Sequence, residues 1–253
     1  MILHHPKPKP TPLREVCSCK PGWQRPFYAV EHAFDWAVHW LSNWAFLETL
    51  EYVGSLSILL AVIFYFAESD ARMKQRHYQA WQVINTAQGK GGSGGRIDAL
   101  QELNEDNVPL TGVDVAGAYL YGLKLENANL VRANFHNADA RKGGFDLADF
   151  SDSDLTGANF DLGSFRKTKL NGVDLSDASL DGADLTDADL SDARLQNADL
   201  NGADLSGVRW HNVRDVKNAN LYGVKNAPPD FVSWALQHGA VQTNPEAVSA
   251  KLN

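Results

Sequence analysis

Large apolar residues recur along this chain at several spacings, and each spacing predicts a different element. From Leu110 to Leu205 every fifth position is Leu or Phe, with Val115 and Ala140 the two exceptions. The position two residues earlier is nearly always small or β-branched, as at Ala118, Ala128, Ala133 and Ala138, and from Ala178 to Ala203 in steps of five. Leu123 is the one bulky residue in that series. Asp or Asn commonly stands between the two, as in Ala183-Asp184-Leu185. A helix repeats near 3.6 residues and a strand at two, so neither produces this period. A chain that turns a corner every five residues does, sending one large and one small side chain inward per segment.

That pattern resembles the pentapeptide-repeat family, whose consensus is Ala, Asp or Asn, Leu and two variable residues. The resemblance implies an all-β solenoid over residues 108–226, a right-handed quadrilateral β-helix with four pentapeptides per coil. Residues 108–210 then make about five coils, and at ~4.8 Å per coil the column stands roughly 25 Å tall. Central residues twenty apart share one wall, as in the series Leu125, Phe145, Phe165, Leu185 and Leu205. Ala140 falls in a coil with Phe135, Phe145 and Phe150, where a small side chain offsets three rings. The period slips once, because Leu221 lies eleven residues after Trp210. One residue is inserted within His211–Lys217, as a bulge or small loop.

An open β-helix needs caps at both ends. Ile97, Leu100 and Leu103 have helical spacing and predict a short cap helix over residues 96–107. Beyond Pro228-Pro229, Asp230 is suited to an N-cap, Phe231, Trp234 and Ala235 form an apolar stripe, and Gly239 ends the helix. Residues 227–253 therefore read as a cap helix and tail. In gyrase-protecting members of the family a C-terminal element also builds a dimer. The resemblance thus makes Phe231 and Trp234 candidates for self-association as well as for capping.

A third pattern precedes the repeats. Tyr52–Ala67 is sixteen residues without a charge, about 24 Å as a helix against ~30 Å of hydrocarbon. Extension back to Ala45 gives 23 residues and takes in Glu48 and Glu51. Trp36, Trp40 and Trp44 precede the run and Tyr65 closes it, as aromatic belts do. The segment 48–67 is read as one membrane-spanning helix, beginning too late for a secretory signal. Arg72, Lys74 and Arg76 follow it closely, which places the repeats in the cytoplasm at the cell membrane, although Lys7, Lys9, Arg14, Lys20 and Arg25 make the far tail basic too. Phe27, Val30, Phe34, Val38 and Leu41 predict an amphipathic interfacial helix over 27–47. Residues 1–26 read as a Pro-rich mobile tail, and 68–95 as a charged helical stalk ending in the Gly-rich linker 89–95. That linker lacks the spacing and trailing Ser/Thr of a phosphate-cradling loop.

Charge sharpens this organisation. The 253 residues carry 23 Lys/Arg and 31 Asp/Glu, a net of −8, and residues 108–226 supply −6 of it as 12 against 18. Direct nucleic-acid binding is excluded by that balance, since neutralising phosphates takes a basic surface. Two cysteines exclude a disulfide scaffold and a four-cysteine zinc module. Cys17 and Cys19, with His32, Asp35 and His39 at facing helical intervals, outline a metal set that matches no standard zinc spacing. Surface thiols in a tail, or lipidated ones, are the alternatives. Glu48 and Glu51, three apart, either mark an ion path or oligomer seam, or sit at the membrane interface.

No nucleophile–base pair or carboxylate pair supports catalysis, and no cofactor is implied. The outward acids are also interrupted: Asp114, Asn134, Asp154 and Asp174 lead to Arg194, while Asn129, Asp149, Lys169, Asp189 and Arg209 alternate. The reading is a non-enzymatic membrane-tethered scaffold, its partners a lipid bilayer, an unidentified protein and, by self-association, further copies of itself. The alternatives are a DNA mimic that binds a topoisomerase, as the resemblance suggests, and a subunit of an oligomeric channel or transporter.

Overall fold

The computed structural model describes residues 9–12, 25–42, 45–86 and 93–244. The chain divides into two compact units, Met1–Arg72 and Met73–Asn253.

The first unit is helical. Helix α1 spans Arg25–Ser42 and α2 spans Ala45–Ala67. Val30, Phe34, Val38 and Leu41, which the sequence places on one apolar face of α1, are all exposed. Every described side chain of α2, from Tyr52 onward, is exposed as well. Among the described residues no single helix is long and apolar enough to cross a membrane; the pair Tyr52–Ala67 and Ser69–Thr86 passes jointly on length and composition. A turn at Glu68 separates α2 from α3, Ser69–Thr86, so the helix does not run on unbroken as expected. Arg72 closes back over this junction, its guanidinium 4.5 Å from the Tyr65 ring centroid.

The second unit is a column with helices packed on it. The expected stalk is only partly a stalk. Ala80 and Ile84 of α3 are buried in the same apolar core as Ala99, Leu100 and Leu103 of α4, Arg96–Glu105. His77 bonds Asp106 at 2.8 Å and Arg76 approaches Glu102 at 3.6 Å, joining the two helices at their polar edge. The apolar stripe Ala80, Trp81, Ile84 is short and follows a charged run from Glu68 to Arg76, which is why composition alone reads as solvated helix. Residues 87–88 at the end of the expected stalk and 89–92 of the expected linker lie outside the described residues.

Above α4 the chain winds in four-sided coils. Single-residue parallel bridges pair positions 20 apart, or 21 beyond the period slip, and among the described residues there are no longer strands. The pentapeptide Ala133–Asn137 shows how every backbone N–H is satisfied. Ala133 N donates across its corner to Leu130 O (3.0 Å), Asn134 N to Val113 O one coil before (2.8 Å), and Phe135 and Asn137 N to Asp154 and Thr156 O one coil after (2.8 and 2.9 Å). The remaining N–H, on His136 at the next corner, donates to Asn134 Oδ1 at 3.0 Å. That acceptor is why Asp or Asn recurs before each central residue: its side chain completes the corner. The second corner residue adopts positive φ, as at Gly117 (62°) and Asn137 (54°), which defines a type II turn.

The four walls carry files of outward residues, beginning at Asp114, Tyr119, Lys124 and Asn129 respectively. Inside, the Leu, Phe and Ala series is fully buried. Phe135, Phe145, Phe150, Phe160 and Phe165 form one ring cluster with centroids 5.0–6.4 Å apart. Ala140 is buried among them, and Phe160, on the same wall one coil later, occupies the space. Buried hydroxyls at the small inward position find partners: Ser153 donates to Leu130 O at 2.8 Å and Thr168 to Phe145 O at 2.7 Å.

The period slip is a bulge in the first wall. Arg214 N donates to Ala193 O while Asp215 O accepts from Leu195 N, so two residues share the place of one. Helix α5, Pro229–Gln237, then covers the top with Phe231 and Ala235 buried. Asp230 is not its N-cap: Pro228 holds that position and Asp230 lies in the first turn, where a carboxylate still complements the helix dipole. Gly239 (φ 96°) ends it in a Schellman turn, Ala240 N donating to Ala235 O at 3.0 Å. Past this turn Val241 bridges Asn220, so the second wall gains one more level from a segment that reads as tail.

Candidate functional site: the outer walls of the column

Twenty-residue spacing stacks the outward side chains of each wall one above another. On the fourth wall Lys169 donates to Asp149 at 2.9 Å and Arg209 to Asp189 at 3.0 Å. On the first, Arg194 donates to Asp174 at 3.3 Å. Lys169, Arg194 and Arg209 therefore each neutralise the acid one level below. Amides donate to the acid one level below without neutralising it, Asn197 to Asp177 at 2.8 Å and Asn201 to Asp181 at 2.7 Å.

Partial burial pushes Asp149, Asp174 and Asp189 upward, but hydrogen bonds outweigh it and hold all three below the ordinary carboxylate range. The donors are Ser151 and Lys169, Ser176 and Arg194, and Ser191 and Arg209 respectively. Asp139 is held low first by its side-chain hydrogen bond from Arg141, a two-pronged contact at 2.8 and 2.7 Å. The same contact raises Arg141.

Five corners depart from the rest. The left-handed position is normally Gly, Asn or Asp, yet Arg132, Lys142, Leu147, Leu162 and Lys167 occupy it at φ 56–62°. Leu147 and Leu162 are 54% and 60% exposed. Next to them Tyr119 and Tyr121 stack at 6.4 Å, with the Lys142 ammonium 5.5 Å from the Tyr121 ring. None of these residues stands out by chemistry in the sequence. Their signal is positional: a branched or long side chain two places after a central residue.

The residues singled out from sequence fall elsewhere. Cys17 and Cys19 lie outside the described residues, as do the side chains of Glu48 and Glu51 within α2. His32 Nε2 contacts Thr11 O at 2.6 Å, and the Trp36 ring lies 6.5 Å from His32 and 6.0 Å from His39. Among the described residues no three His, Cys, Asp or Glu side chains come together as a metal site. Phe231 is buried against Trp210 at 5.5 Å, and Trp234 packs on Trp210 at 5.4 Å and on the His238 ring at 4.5 Å. Both are thus engaged in closing the column.

The family model for pentapeptide repeats matches eight copies, over residues 110–142, 145–172 and 168–207. No curated protein matches the chain. Among solved structures, a pentapeptide repeat protein from the Arabidopsis thaliana thylakoid lumen is similar at 23% identity and TM-score 0.28, over 52% of this chain and 78% of that one. HetL, a pentapeptide repeat protein involved in heterocyst differentiation regulation in the cyanobacterium Nostoc, shares 31% identity at TM-score 0.19, over 44% of this chain and 56% of its own length. QnrB1, a plasmid-mediated fluoroquinolone resistance protein, shares 18% identity at TM-score 0.24, over 53% of this chain and 87% of that one.

Proposed function

The chain belongs to the pentapeptide-repeat family, and on that premise we propose that it is a non-enzymatic scaffold, a rigid protein-binding column tethered to a membrane by α2. The observation that carries the tether is the exposure of α2 on all sides. Val53, Leu56, Ile58, Leu59, Val62 and Phe66 point around the whole circumference, and each is at least 47% exposed. A helix apolar all round requires either a protein core or lipid. The 23 residues of α2 make about 34 Å of helix, of which the uncharged run Tyr52–Ala67 supplies about 24 Å against ~30 Å of hydrocarbon, so a span would take in Glu48 and Glu51 at its interfacial end. Arg72, Lys74 and Arg76 follow on the column's side, which supports a cytoplasmic column.

Scaffolding rather than catalysis is supported by what the wall carboxylates do. They accept corner N–H groups or pair with the level above, and those roles leave them structural. A topoisomerase-binding alternative draws on residues 171–207, which hold nine Asp against one Arg. The pairing of Arg194 with Asp174 and of Arg209 with Asp189 breaks that surface on two walls.

Leu59→Lys with Ile63→Lys tests the tether. The wild-type protein should remain in the membrane fraction after alkaline carbonate extraction, and the double variant should move to the supernatant. Wild-type protein that extracts like the variant would overturn the reading. Protection of gyrase from a quinolone poison by the purified protein would establish the topoisomerase alternative instead.

A further inference from the structure

The third wall, whose outward file runs Lys124, Gly144, Ser164, Asp184, Asp204 and Lys225, carries four of the five unusual corners. Lys142 and Leu162 stand one above the other on its leading edge. Leu147 and Lys167 do so on its trailing edge. A non-glycine residue in left-handed conformation costs roughly 1–2 kcal/mol, and Leu147 and Leu162 stand there more than half exposed. Gly182 and Gly202 continue the leading edge, Asp187 and Gly207 the trailing one.

The wall is also divided electrically. Residues 141–147 and 161–167 hold four bases and two acids, whereas 181–187 and 201–207 hold four Asp and no base; Arg141 is paired with Asp139 and Arg166 reaches Asp184 at 3.7 Å, which leaves Lys142 and Lys167 as the bases outside ion pairs. Lys167 and Asp187 occupy equivalent trailing-edge positions on either side of the division, and among the described residues neither forms an ion pair within the chain. Leu162 leans across the division, its Cδ2 2.9 Å from where a Gly182 side chain would begin.

We propose that this wall binds a second copy of the chain, the two columns antiparallel about a two-fold axis that lies along the wall between the Ser164 and Asp184 levels. Such an axis exchanges the levels above and below it and keeps each edge on its own side. Lys167 then meets Asp187 of the second copy, twice, because a two-fold contact is reciprocal. Leu162 meets its own symmetry mate at the axis, and the lower, basic half of one wall covers the upper, acidic half of the other. Gly144, Gly182, Gly202 and Gly207 leave the backbones room to approach. The contact is four levels long, about 19 Å at ~4.8 Å each, and rests on a few corner side chains of one wall. The association is therefore weak, reversible and sensitive to salt.

The test uses full-length protein in detergent with Cys17→Ser and Cys19→Ser, so that α2 is covered and native thiols are absent. Leu162→Cys should form a disulfide-linked dimer under mild oxidation, while Gln196→Cys, exposed on another corner, should not. Lys167→Glu or Asp187→Lys alone should weaken dimerisation about tenfold in sedimentation equilibrium, and the two together should restore it. Because positions 167 and 187 are also neighbours within one column, the melting temperature of each single variant, expected at the wild-type value, separates the contact from a folding defect. Equal cross-linking at positions 162 and 196, or a double reversal as weak as the singles, overturns the proposal. A dimer held only through α2 would give the first of those results and leave the tether intact.

Discussion

A methyl group added to Gly143 would lie 2.5 Å from Phe145 Cε2, so the residue two before this phenylalanine has no room for the alanine that the repeat normally places there. Its carbon would also stand 2.9 Å from Ala140 O, so backbone and ring both resist. Phe145 in turn stacks on Phe165 at 5.0 Å, and Gly163 repeats the arrangement one coil on. Gly143→Ala, a change toward the consensus, should destabilise the column by roughly 1–3 kcal/mol. A thermal melt at or above the wild-type midpoint would refute the packing argument.

Asp154 Oδ1 accepts the corner N–H of Thr156 at 2.9 Å. Asp154→Asn retains that acceptor and should leave stability within ~0.5 kcal/mol, whereas Asp154→Ala should lose about 1 kcal/mol. Chemical denaturation of both variants distinguishes a corner acceptor from a residue that only solvates the wall. Equal losses would point to charge instead.

The lowered carboxyls set an acid limit. Asp139, Asp149, Asp174 and Asp189 titrate lower in the folded column than in the unfolded chain. Their contribution is complete above the unfolded value of about 3.9 and is lost as pH falls through the folded values. Melting temperature should therefore hold from neutrality to about pH 5 and drop below pH 4. Replacing Asp149, Asp174 and Asp189 by Asn keeps the corner acceptors and should flatten the drop. An unchanged slope would assign the acid sensitivity to other groups.

Leu147 stands at φ 62° with its side chain 54% exposed. Leu147→Asn places a residue suited to left-handed backbone there and should raise stability by about 0.5–1 kcal/mol. A lower melting temperature would mean that Leu147 makes a stabilising contact within its own column.

The inward half of this structure was legible because burial acts on every register alike: five-residue spacing identifies Leu110 to Leu205 without reference to any fold. Ala140 is buried like every other central residue, as its place in the register requires. The ends were less legible. Val241 joins the second wall after a helix interrupts the count, and no period announces it. Ala80 and Ile84 look solvated in a charged segment until α4 lies beside them. The walls hid most. Lys142, Leu147, Leu162 and Lys167 are scattered in sequence, and only the corner geometry shows that they frame one surface.

Four equal sides have a mechanical consequence. After twenty residues the chain returns to the same wall about one strand spacing higher, so a whole coil is a unit of length that leaves the order of the walls unchanged. Deleting or duplicating residues 168–187 would move α5 toward or away from α4 by about 4.8 Å while each side chain kept its wall. The column is in that sense a gauge whose reach can evolve in fixed steps without reassigning any residue from one wall to another.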